Sequence, residues 1–112
     1  MGPEAGPEAI MEALRAEIPG VVEALEELHG AVVEEGALSA KTKVLIQVGI
    51  ATALRCEPCI RKHIRGASEL GATRPEIIEA ASTAILMGGG PAAAYMGRYV
   101  MDELDHIFGE KD

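Results

Sequence analysis

Residues 44–70 read VLIQVGIATALRCEPCIRKHIRGASEL, and the fold is decided there. The first part, Val44 to Leu54, is apolar nearly all the way round a helix, with only Gln47 and Thr52 interrupting it. Such a helix is normally buried on most sides. In a chain this short, part of that burial is expected to come from a neighbouring subunit. Ser39 is placed to cap its N-terminus. A second helix follows from about Glu57 to Leu70, with Pro58 in its first turn, where proline forfeits no needed hydrogen bond. Gly71 is its C-terminal stop.

Outward from this stretch every periodic segment keeps the helical period, and none alternates like a strand. Ile10, Leu14 and Ile18 recur every four residues before Pro19-Gly20 ends a short helix. Val21, Leu25, Leu28 and Val32 form a near-heptad stripe, with Glu23, Glu26 and Glu27 toward water and Gly36 as the stop. Thr73 and Glu76 form a capping box around Pro75 and open a helix with Ile77, Ala81 and Ile85 on one face. Gly88 to Pro91 break the chain. A last helix sets Met96, Val100, Leu104 and Ile107 opposite Arg98, Asp102 and Asp105. The expectation is an all-α protein, a compact bundle of about six helices forming one domain over residues 1–112, with residues 1–7 frayed.

Composition agrees with that class. The chain has 112 residues, 48% of them hydrophobic, but its aromatic residues are only Phe108, Tyr95 and Tyr99. The core is therefore expected to be aliphatic, with Ala and Gly letting helices approach closely. The net charge of −8 argues against nucleic acid, which requires a basic footprint. The bases gather in residues 37–65 (Lys41, Lys43, Arg55, Arg61, Lys62 and Arg65), the segment that carries both cysteines. The acidic lead MGPEAGPEAIMEA lacks the pattern of a secretory signal, and Val44–Leu54 is too short to span a membrane. A cytoplasmic location and no membrane partner are the expectations. In that compartment two close cysteines are more often catalytic or metal-binding than a structural staple.

The candidate site is Cys56-x-x-Cys59-x-x-x-His63. Residues three and four apart share a helix face, so the three side chains form one stripe. Cα atoms three apart on a helix are roughly 5 Å from each other, within the range a disulfide accepts. The helix N-terminus, together with Arg55, Arg61 and Lys62, favours thiolate, and His63 can accept or relay a proton. These residues suffice for a thiol peroxidase or a disulfide-exchange site. Two other readings stay open. The pair could hold zinc with His63 and either His29 or His106, or the thiols could simply pack. His29 and His106 otherwise read as surface or helix-end residues. MGGGPAAAYMG lacks the Lys-Ser/Thr and the preceding strand of a phosphate loop.

The stretch KTKVLIQVGIATALRCEPCIRKHIRGASELGATRPEIIEAASTAILMGGGPAAAYM, residues 41–96, resembles the carboxymuconolactone decarboxylase-like family, in its alkylhydroperoxidase D-like branch. The likeness runs from about Leu38 to Leu104. It is carried by an apolar helix leading into the Cys-x-x-Cys-x-x-x-His motif, then GAT and the following EI and EA, then the glycine-rich break. The resemblance implies an all-helical fold assembled as a homo-oligomer, trimer or hexamer, and an antioxidant, peroxidase-like thiol activity that uses no cofactor. It implies that Cys59 attacks an organic hydroperoxide, Cys56 resolves the product to a disulfide, and His63 serves the proton relay. A dithiol partner protein would restore the reduced form. One position departs from that pattern: Val44 stands where the branch carries a relay glutamate, twelve residues before the first cysteine. Gln47 could hydrogen-bond but not titrate, so Glu34, Glu35 or Glu57 would have to substitute. A disulfide reductase, or a non-enzymatic oligomer whose cysteines bind metal or pack, are the alternatives. The decarboxylase chemistry of the family's name does not depend on a cysteine pair.

Overall fold

Ser39, Cys56 and Thr73 each cap a helix in the computed structural model, which describes residues 5–109. Four helices come first: α1 (Pro7–Glu17), α2 (Pro19–Val33), α3 (Ala40–Ala53) and α4 (Glu57–Glu69). A fifth, α5, is helical from Arg74–Phe108 without an intervening loop. The caps are those expected. Ser39 Oγ accepts from Thr42 N at 3.1 Å. Thr73 Oγ1 accepts from Glu76 N at 3.2 Å while Glu76 Oε1 accepts from Thr73 N at 2.9 Å, completing the capping box. Gly71, at φ +90°, lets Ala72 N reach Ala67 O (2.9 Å) and Gly71 N reach Ser68 O (3.0 Å), the Schellman closure of α4.

Three expectations are corrected. The break at residues 88–91 bends the chain but opens no loop, so there are five helices rather than about six. Gly89 alone leaves helical geometry (φ 65°, ψ −148°), which glycine tolerates. Pro91 then falls at the start of the resumed helix, where its missing N–H is not needed. Further along α5, Met96–Val100 winds as a π-helix before α geometry returns at Met101. By length and composition α5 is also long and apolar enough to cross a membrane, which the expectation of no spanning segment missed. Ile77, Ala81, Val100 and Leu104 along it nevertheless pack into the core. Last, the stripe on α2 does not face inward. Val21 is 62% exposed, and Leu25, Leu28 and Val32 are exposed too; Val22 turns in instead, with His29 and Val33 half-buried. α1 starts at Pro7, which is buried; of the frayed 1–7 expected, residues 1–4 lie outside the described residues.

The core is aliphatic. Val44, Val48 and Ala51 of α3, Ile60, Ile64 and Ala67 of α4, and Ile77, Ala81, Val100 and Leu104 of α5 form one cluster. Ile85 is exposed and Ala84 takes its place inward. α3 and α5 meet at Gly49, where an added Cβ would sit 3.0 Å from Ala80 O and 3.1 Å from Thr83 Oγ1. The face of α3 turned away from the core carries Ile46, Ile50 and Leu54, spaced by four and exposed, Leu54 by 72%. Leu86 and Met87 before the α5 bend are more exposed still.

Candidate functional site: the start of the cysteine helix

Cys56 is the N-cap of α4, and its Sγ accepts from Cys59 N at 3.3 Å. The chain enters this cap through Arg55, which adopts the left-handed region at φ 57°, the one non-glycine among the described residues to do so. That reversal ends α3 and turns the chain into α4, placing Cys56 in extended geometry just before the helix. Pro58 in the first turn continues the helix at no hydrogen-bond loss. Cys56 and Cys59 are joined by a disulfide with their Cα atoms 5.3 Å apart, as the helical spacing allows. Both are half-buried, and Cys59 packs against the aliphatic core.

His63 lies one turn beyond Cys59 on the same face of α4. It is half-buried, and its pKa is pushed down from 6.5 to about 4, chiefly by burial, then by the charge of Lys62 and by His29. At neutral pH it is an unprotonated base. His29, expected at the surface, instead stacks on it: ring centroids are 5.8 Å apart and the planes 19° from parallel. A cavity of about 380 Å³ opens beside both rings, with Val44 in its wall. The position lacking the relay carboxylate therefore does face the His63 cavity.

None of the carboxylates considered as substitutes hydrogen-bonds to His63. Glu57 binds Arg61 Nε at 3.0 Å, Glu35 accepts from Ala40 N at 3.2 Å, and Glu34 meets Lys43 Nζ through its backbone carbonyl at 2.6 Å. Arg61 was expected to favour thiolate, yet its guanidinium is held by Glu57, Asp102 and Glu103. Burial disfavours its charge, but the hydrogen bonds to Asp102, Glu103 and Glu57 outweigh that and raise its pKa. His106 Nδ1 is 2.8 Å from Asp102 O, on the exposed surface as expected. Among the described residues no group of three or more His, Cys, Asp and Glu is arranged to hold a metal ion.

Sequence reasoning missed the buried carboxylate of Glu103. It binds Arg61 at 3.0 Å and Arg65 at 3.3 Å, and Tyr99 lies under the Arg61 guanidinium, 5.7 Å from ring centre to Cζ. Arg65 also binds Glu8 of α1. This network locks α4, and so the site, against α5 and α1.

The family model of the carboxymuconolactone decarboxylase family matches residues 19–100. The chain belongs to that family. A member of known structure, an apo protein from Legionella pneumophila, superposes with a TM-score of 0.79 at 33% identity, over 92% of this chain and 90% of that one. A second, from Thermotoga maritima, gives a TM-score of 0.70 at 34% identity over 77% and 88% of the two chains; a part in an antioxidative response has been suggested for it. Among curated sequences, uncharacterized protein 4 in the cox locus of Paracoccus denitrificans is 40% identical over 80 residues, covering 70% of this chain and 72% of that one. The alkylhydroperoxidase D-like fold expected from residues 41–96 is the fold of this family member.

Proposed function

We propose that this protein is a thiol-dependent, peroxidase-like oxidoreductase acting on an organic hydroperoxide. The observation that carries the reading is the Cys56–Cys59 disulfide at the start of α4, with a neutral His63 one turn away. That disulfide is the oxidised end of the cycle. In the reduced protein the Cys59 S–H gives its proton to His63, and the thiolate attacks the peroxide oxygen. As the O–O bond breaks, the leaving alkoxide takes the proton as an alcohol and Cys59 becomes a sulfenic acid. Cys56 then displaces water from it to form the disulfide, and a partner dithiol protein in a reducing, cytoplasmic setting returns both thiols. The suggested antioxidative part of the Thermotoga relative supports this reading.

The active form is a homo-oligomer, trimer or hexamer. Exposed Ile46, Ile50 and Leu54 on α3, with the α2 stripe, supply apolar surface that a monomer leaves in water. Sedimentation velocity would show a single species above the 11.7 kDa monomer mass; a monomer at micromolar concentration overturns this.

A thiol count on reduced, metal-free protein, before and after one equivalent of cumene hydroperoxide, tests the activity. Rapid loss of both thiols, abolished in Cys59→Ser, is the expected result. Thiols that persist as in buffer alone would sink it. The second reading, disulfide exchange, is favoured by Val44 at the His63 cavity and by the lack of a carboxylate bonded to His63 among the described residues. It predicts that the same protein oxidises its thiols with a small disulfide and not with hydroperoxide.

A further inference from the structure

His63 shares its cavity with a second imidazole from a different helix. His29 comes from α2, thirty-four residues earlier in the chain. The two rings lie nearly parallel at 5.8 Å, and both line the 380 Å³ cavity. His29 Nε2 is buried with no hydrogen-bond partner among the described residues. A buried polar nitrogen without a partner is rare and calls for a reason. Val44, facing the same space from α3, offers no proton acceptor.

The geometry points to His29 as the positioning partner of His63, so that the base of the thiol centre is a two-histidine pair rather than a histidine–carboxylate pair. This rests on the reading of His63 as the group that takes the Cys59 proton. The two kinds of partner act with opposite sign. A carboxylate beside an imidazole favours its protonated form, whereas a second imidazole stacked on it disfavours a second positive charge. A proton that leaves Cys59 for a ring nitrogen of His63 thus arrives where it is easily given up. What His29 contributes is its stacked ring, which holds the His63 imidazole in place and sets the charge it meets.

The other charged groups of the cavity do not replace this role. Arg65 is held by Glu8 and Glu103. Its bond to Glu8 holds that carboxyl below the ordinary range. Lys62 opposes a proton on His63 in the same direction as His29 does. Glu69 lines the cavity from the C-terminal end of α4, nearly two turns beyond His63.

The test follows the His63 ring by NMR through a pH titration of the disulfide-bonded protein, in wild type and in His29→Gln, His29→Phe and His29→Glu. It is read beside the pH profile of Cys59 alkylation in a reduced Cys56→Ser background. Removing the second imidazole with Gln or Phe should raise the His63 midpoint by about half a pH unit, roughly threefold in proton affinity. The carboxylate of His29→Glu should raise it further, by about a unit or more, or tenfold. The acid limb of the alkylation profile should move the same way. A His63 midpoint unchanged in His29→Gln, with helical circular dichroism intact, overturns the proposal, as does a Glu variant that titrates like Gln. Gln adds no ring volume, so the test survives a Phe variant that fails to fold. Neither readout uses hydroperoxide, so failure of the peroxidase reading and failure of this one are told apart.

Discussion

Arg61 Nη1 lies 3.0 Å from Oε1 of Glu103, across forty-two residues of sequence, and the contact fastens the cysteine helix to the end of α5. The Glu103 side chain is only 6% exposed, so its charge is tolerable only because Arg61 and Arg65 both reach it. Removing the carboxylate leaves two guanidinium groups short of a partner in a half-buried setting. Arg61 keeps Glu57 and Asp102, and Arg65 keeps Glu8, which softens the loss. Glu103→Ala should destabilise the fold by about 2–3 kcal/mol, somewhat below the full cost of breaking a wholly buried pair. Urea unfolding would read this as a lower midpoint with an unchanged slope.

Cys56 has two separable jobs, sulfur chemistry and capping. Its Sγ accepts from Cys59 N, the bond an N-cap side chain makes. Cys56→Ser keeps a better capping oxygen and loses the disulfide; Cys56→Ala loses both. Under reducing conditions, where no disulfide contributes, the Ala variant should be less stable than the Ser variant by about 1 kcal/mol. Equal denaturation midpoints would show that the cap contributes nothing.

Burial of His63 also makes stability depend on pH. Its folded pKa, about 4, is below the ordinary 6.5, so between those values the unfolded chain binds more protons than the folded one. The stability is complete above pH 6.5 and declines as the pH falls toward 4. His63 is only partly buried, and screening by solvent limits the loss to about 1 kcal/mol. His63→Gln should flatten this window. Glu8 and Glu76, held below their ordinary 4.5 chiefly by the Arg65 hydrogen bond and the Thr73 backbone respectively, add their own decline only at lower pH. Melting temperatures at pH 4.5 and 7 for the two proteins would separate these contributions.

Gly49 sets the distance between α3 and α5. A methyl group there would press on Ala80 O and Thr83 Oγ1 at 3.0 and 3.1 Å, closer than ordinary contact. Thr83 can rotate, but the Ala80 carbonyl belongs to the α5 backbone and cannot yield alone. Gly49→Ala should therefore destabilise by about 1–3 kcal/mol despite the better helix propensity of alanine. A denaturation midpoint at or above that of wild type would show that the helices separate freely.

What the sequence determined by itself was local. Ser39, Thr73 with Glu76, and Gly71 act within four residues of themselves, so the helix ends and the register of the cysteine helix were legible from spacing alone. The same local rule brought Cys56 and Cys59 within disulfide reach, and the motif was specific enough to point to the family. The apolar run of α3 announced a buried helix but not which side would be buried: a helix apolar all round has no face that its own pattern singles out. For the same reason Val21, Leu25, Leu28 and Val32 read as a core stripe, although Val22 and Val33 are the residues turned inward. The glycine-rich segment 88–91 was recognisable as a break; whether helical bonding resumed at once depended on the backbone of a single residue, Gly89. Only the tertiary structure could decide the pairs that cross the chain, His29 with His63 and Arg61 with Glu103. Their partners lie dozens of residues apart, where spacing carries no signal, and the packing of α2 and α5 against α4 alone brings them into contact.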